Sequence, residues 1–104
     1  GFDERVRDVD LVITGEGNMD EQSAAGKAPV GVARRANRYG KPVVAVVGGR
    51  ADNLDAVYEQ GIDLVLPICR KPMDLEQALD PQEATTNLIC AGEAAAQAYD
   101  LARL

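Results

Sequence analysis

Three short runs of apolar, β-branched residues constrain the fold of this chain most: Leu11-Val12-Ile13 with flanking Val9 and Thr14, Val43 to Val47, and Leu64 to Ile68. Near-continuous apolar runs of this kind belong to strands of a parallel sheet whose two faces are both covered, so that no polar alternation survives. Between them lie helical segments with clear punctuation. Pro29 suits the first turn of a helix, which Gly40 closes with Pro42 behind it, and Val32, Ala36 and Tyr39 then share a face toward the sheet. In the second helix Asp52 or Asn53 is the cap, Leu54, Val57 and Tyr58 form the apolar stripe, and Gly61 is the stop.

After the third run, Pro67 and Pro72 mark a loop and residues 75–79 a helical turn. Asp80-Pro81-Gln82-Glu83 resembles a capping box, opening a long helix through Ala84, Leu88, Ala91, Ala95 and Tyr99. Strand-helix-strand-helix-strand-helix order predicts a small three-layer α/β domain with a mostly parallel sheet, one segment spanning residues 1–104. Ligands of such folds bind beyond the carboxyl ends of the strands, which directs attention to the loops after Thr14, Val47 and Leu66.

Composition narrows the chemistry. With no histidine, the segment cannot supply a Ser-His-Asp triad or the usual transition-metal ligands, leaving carboxylates, lysine and backbone amides. Cys69 and Cys90 lack any CxxC or Cys/His spacing and are expected to pack as small apolar residues. A net charge of -6 argues against nucleic acid as a partner, and Arg34, Arg35 and Arg38, at helical spacing, read as a solvated face. No apolar run reaches the roughly 18 to 20 residues of a membrane span, and the first residues have no signal-peptide character, so a cytoplasmic protein is expected. The chain starts without Met, on a polar stretch leading straight into a strand, which suggests a fragment of a longer product.

The first strand is followed by an unusually long connection. Thr14-Gly15-Glu16-Gly17-Asn18-Met19-Asp20-Glu21-Gln22-Ser23-Ala24-Ala25-Gly26-Lys27 separates it from the first helix, where α/β connections usually take about 2 to 6 residues. Gly15 and Gly17 allow sharp bends and close approach of a ligand to the main chain. Glu16 and Asp20 place two carboxylates at the strand end, able to hold Mg²⁺ or to accept a proton from a hydroxyl nucleophile. Lys27 precedes a helix N-terminus, where a phosphate is also favoured by the dipole. Taken singly, each residue has an equally good structural role in capping or turn geometry; in combination they suit phosphoryl transfer. A Walker A loop is excluded by Glu21 and Ala28, and a dinucleotide fingerprint starting at Gly15 by Asp20.

Asp10-Leu11-Val12-Ile13-Thr14-Gly15-Glu16-Gly17, followed by Asp20, Gln22, Ser23, Gly26 and Lys27, resembles the signature of the bacterial glycerate kinase family. The likeness continues through Ala28 to Ala33, Pro42 to Gly48 and Gly61-Ile62-Asp63, and so covers nearly the whole chain. Two departures stand out: Asn18-Met19 where a basic residue followed by an apolar one is expected, and Gly48-Gly49-Arg50 where the family has Gly-Ser.

The resemblance implies ATP-dependent phosphorylation of D-glycerate, giving 2-phosphoglycerate in members acting at the 2-hydroxyl, with Mg²⁺ as the metal. It implies a cleft between two α/β domains, of which this chain is the C-terminal part, so that the N-terminal lobe of the same enzyme is a required partner. Carried over by position, Glu16 and Asp20 bind the metal or activate the hydroxyl. Thr14, Gly15, Gly17, Gln22, Ser23 and Lys27 contact substrate or phosphate. Two readings from other classes compete: a non-catalytic ligand-binding or regulatory domain whose acidic loop takes Mg²⁺ or a small anion, and an interaction module exposing the apolar surface a missing lobe would cover.

Overall fold

The computed structural model describes residues 1–24 and 28–104. Its elements, in chain order, are α1 (Phe2–Val6), β1 (Val12–Met19), a 3-10 turn (Glu21–Ala24), α2 (Ala28–Asn37), β2 (Val43–Arg50), α3 (Asp55–Glu59), β3 (Leu64–Pro67), α4 (Leu75–Leu79) and α5 (Pro81–Ala102). The strands form one parallel sheet in the order β1-β2-β3, with Val12 opposite Val43 and Val44 opposite Leu64. This is the small α/β fold that the three apolar runs predict.

Burial explains why β2 is the most continuous run. It has a strand on either side and packing on both faces, and every residue from Val43 to Val47 is buried. Val43, Ala45 and Val47 join Val65 of β3 in a core with Ala33 and Ala36 of α2, Leu54 and Val57 at α3, and Ile62. Side chains alternate along a strand, so Val44 and Val46 point the other way. There α5 packs on β2 and β3, with Ala91 and Ala95 buried; such small residues let helix and sheet approach closely.

Several local expectations shift. The stretch before β1 is helical: Phe2 and Val6, four residues apart, lie on one face, and α1 packs on α2 with Val6 buried. β1 starts at Val12, leaving Val9 outside it, and continues through Met19, so the first six residues of the expected loop, Thr14 to Met19, are strand. The buried face of α2 is Val30, Ala33 and Ala36 with Tyr39 packed against the core, whereas Val32 is only half-buried. The N-cap of α3 is Leu54; Asn53 Oδ1 instead accepts the Asp55 N–H at 2.9 Å, and Tyr58 of the expected stripe is exposed. The ends proposed from glycine hold: Gly40 has φ 69° and Gly61 φ 107°, and a Cβ at Gly61 would strike the Asn37 side chain.

The long helix keeps Ala91 and Ala95 inward, and departs from the expected residues at Leu88. Leu88 is 55% exposed, and the neighbouring Asn87 is fully buried, its Oδ1 accepting from Arg70 Nε at 3.0 Å. Asp80 caps α5 by accepting the Glu83 N–H, but Glu83 turns to Arg70 at 2.7 Å and does not reciprocate. A full capping box instead opens α4, between Asp74 and Gln77. Cys69 is exposed and Cys90 half-buried, so Cys69 does not pack inside as expected. No helix among the described residues is long and apolar enough to cross a membrane.

Candidate active site

At the carboxyl end of β1 a two-residue period places side chains alternately. Val12, Thr14 and Glu16 are half-buried, while Ile13, Gly15 and Gly17 on the other face are exposed. Glu16 lies beside Val47 in the register, at the rim of the core, and its Oε1 accepts the Gly17 N–H at 3.2 Å. Met19 then turns fully into the core and fixes where the strand ends, with its carbonyl accepting the Ala51 N–H at 2.9 Å.

Asp20 stands at the junction of β1 with the 3-10 turn. Its Oδ1 accepts the Gln22 N–H at 2.9 Å, its carbonyl accepts the Ser23 N–H at 3.0 Å, and its own N–H donates to Ser23 Oγ at 3.0 Å. The carboxylate therefore acts as the cap of the turn through one oxygen, which holds the side chain at a defined height above the strand end.

Among the described residues, Glu16, Asn18, Asp20, Gln22 and Ser23 line one open cleft of about 230 Å³. The two carboxylates named from the sequence thus share a cavity with Gln22 and Ser23. Thr14, Gly15 and Gly17 lie outside that lining, Thr14 further down the strand and the glycines on the opposite face. Lys27 lies outside the described residues. A larger groove of about 340 Å³ is at the other end of the sheet, where Leu11, Pro42 and Leu64 meet Ala98 and Tyr99. Its one carboxylate, Asp63, accepts the Val43 N–H at 2.8 Å and holds the strand.

Two contributors had no role assigned from sequence. Asn18 lines the cleft between the acids; extending the strand period from Glu16 by two residues at a time would have found it. Gly48, opposite Gly17 on β2, leaves no room for a side chain: a Cβ there would sit 2.6 Å from the Gly17 carbonyl oxygen.

The donor set bears on the metal. Among the described residues no group of three or more His, Cys, Asp or Glu could hold an ion by itself. Two carboxylates in a polar cleft nevertheless fit Mg²⁺, which commonly takes one or two protein carboxylates and completes its octahedron with waters and phosphate oxygens.

The sequence matches the model of the Glycerate kinase family over residues 1–100. The chain belongs to the glycerate kinase family. Its relatives include a glycerate kinase of Bacillus cereus, 52% identical over 77 residues, which are 74% of this chain and 20% of that protein. Another is the glycerate 2-kinase of Escherichia coli, 42% identical over 77 residues, again 74% of this chain and 20% of the relative. Among solved structures, a protein described as glycerate kinase 2 from Salmonella typhimurium LT2 superposes with a TM-score of 0.62 at 36% identity, covering 99% of this chain and 25% of that one. This glycerate kinase family chain spans about a fifth of the length of the curated relatives it matches.

Proposed function

We propose that the chain is the C-terminal segment of a two-domain, cytoplasmic, ATP-dependent glycerate kinase, converting D-glycerate to 2-phosphoglycerate. One observation carries the reading: Glu16 and Asp20 face a single open cleft at the carboxyl end of β1. Phosphoryl transfer needs little covalent help from a protein and rests on positioning and charge neutralisation, for which paired carboxylates are suited. The choice of the 2-hydroxyl is supported by the name of the Escherichia coli relative.

In this reading Glu16 and Asp20 would hold Mg²⁺, which when bound neutralises charge on the transferring phosphoryl group. One of the two carboxylates accepts the proton of the substrate hydroxyl as its oxygen bonds to the γ-phosphorus and the bond to ADP breaks. Gln22 presents its amide to the cleft and orients glycerate or phosphate, with Asn18 beside it. Lys27, Thr14, Gly15 and Gly17 are assigned to substrate or phosphate from the family pattern alone.

Because a fifth of a kinase holds only part of a cleft between two domains, residues 1–104 alone are expected to show negligible glycerate phosphorylation. Grafting them in place of the matching fifth of the Bacillus cereus relative should restore turnover, followed by coupled ADP release. Robust turnover by the 104-residue chain, or none by a folded graft, overturns the proposal. Calorimetry of the chain with Mg²⁺ and nucleotide separates it from a stand-alone binding domain, which would bind both without the graft.

A further inference from the structure

We infer that Ser23 is a positioning residue for the Asp20 carboxylate and not a contact for substrate. The inference rests on the kinase reading above for its consequence, though not for its geometry. Ser23 is only 8% exposed, the least accessible polar side chain of the cleft. Its Oγ accepts the Asp20 N–H at 3.0 Å, and its own N–H donates to the Asp20 carbonyl at 3.0 Å. Both main-chain polar groups of Asp20 are therefore held by one residue three positions on. The Gln22 N–H takes one carboxylate oxygen as well, at 2.9 Å.

What this arrangement fixes is rotation. The Met19 carbonyl and the Asp20 N–H belong to one planar peptide, which is held at both of its ends: the carbonyl accepts from the Ala51 N–H and the N–H donates to Ser23 Oγ. The peptide leaving Asp20 is held by the Ser23 N–H on its carbonyl, and the carboxylate by the Gln22 N–H. Removing the Ser23 hydroxyl leaves the first peptide held only at its Met19 carbonyl, so the plane can rotate about that single anchor and swing the Asp20 carboxylate within the cleft it shares with Glu16. A displacement on the order of 1 Å at a reacting group is enough to cost about a hundredfold in rate. The cost falls on the chemical step, because an unproductive Asp20 leaves the groups that bind ground-state substrate in place. A hydroxyl that instead held glycerate or phosphate directly would lose affinity when removed.

The test uses the full-length graft of residues 1–104 into the Bacillus cereus relative, with Ser23→Ala and Ser23→Thr. The alanine variant should lower kcat by about 10- to 100-fold with the KM for glycerate within about twofold of the parent, while threonine, which keeps the Oγ, should stay within about threefold on both. A rise in KM at unchanged kcat makes Ser23 a ligand contact and overturns the inference; so does a folded Ser23→Thr as impaired as Ser23→Ala. The second measurement needs no activity: amide hydrogen exchange at Asp20 in residues 1–104 should be slow in the parent and in Ser23→Thr and accelerated at least about tenfold in Ser23→Ala. Unchanged exchange in the alanine variant also sinks the proposal. If the parent graft shows no kinase turnover, the functional reading fails while the exchange result still decides the role of Ser23.

Discussion

Asp20 combines two duties that one substitution separates. Its Oδ1 caps the 3-10 turn by accepting the Gln22 N–H, and an asparagine can do the same with its amide oxygen; the two are near equals as caps. What asparagine cannot do is carry the negative charge that would hold Mg²⁺ or take a proton. Asp20→Asn in the full-length graft is therefore expected to lower kcat by about 10²- to 10⁴-fold while the urea midpoint moves little. Parent-like kinetics would remove Asp20 from the mechanism, and a large drop in midpoint would mean the capping duty does not survive the exchange. Glu16 offers no such separation, since its carboxylate bonds only the adjacent Gly17 N–H within the described structure.

The sheet brings Glu16 and Asp20 to one cleft through the pairing of β1 with β2, and that pairing depends on a glycine. At Gly48 a Cβ would lie 2.6 Å from the Gly17 carbonyl oxygen, and backbone cannot yield as a flexible side chain does. Gly48→Ala is expected to destabilise residues 1–104 by about 1–3 kcal/mol and to push apart the strands beside Glu16. Gly31→Ala is the control: it lies within α2 with no atom within 4 Å of the added methyl, so it should be neutral or stabilise by up to about 1 kcal/mol. Equal urea midpoints for both variants would refute the crowding at Gly48.

Much of this element level was legible in the sequence because burial on both faces leaves a continuous apolar run, as in Val43 to Val47. The carboxyl half of β1 was not, since Gly15-Glu16-Gly17-Asn18 has neither β-branched residues nor apolar alternation, and only pairing to β2 makes it a strand. Glu16 and Asp20 were singled out by residue type and line one cleft, whereas Asn18 of the same lining was passed over for want of the strand period. The inward turn of Asn87 over Leu88 was equally hidden, because it depends on Arg70, which arrives from the loop after β3 and is itself paired to Glu83 one turn earlier on the same helix.

At the scale of the whole molecule the three layers are unequal. β2 is covered on both faces, but α5 packs on β2 and β3 and leaves the same face of β1 open, where Ile13 is 50% exposed. Ile13 pairs with Val44 in the register, and Val44 lines the groove of Leu11, Leu64 and Tyr99. β1 is also an edge strand, and an exposed apolar side chain on an edge invites association with another copy. Residues 1–104 alone are therefore expected to self-associate as concentration rises, despite the net charge of -6 that opposes it. Ile13→Thr keeps the β-branched shape that suits a strand and removes much of the apolar surface, so it should shift sedimentation toward monomer while changing stability by less than about 1 kcal/mol. In the full-length graft, where this reading has the remaining lobe cover the same face, the substitution should instead lower the unfolding midpoint. A parent chain that stays monomeric at high concentration, or a graft indifferent to the change, would show that the open face of β1 is an ordinary solvated surface.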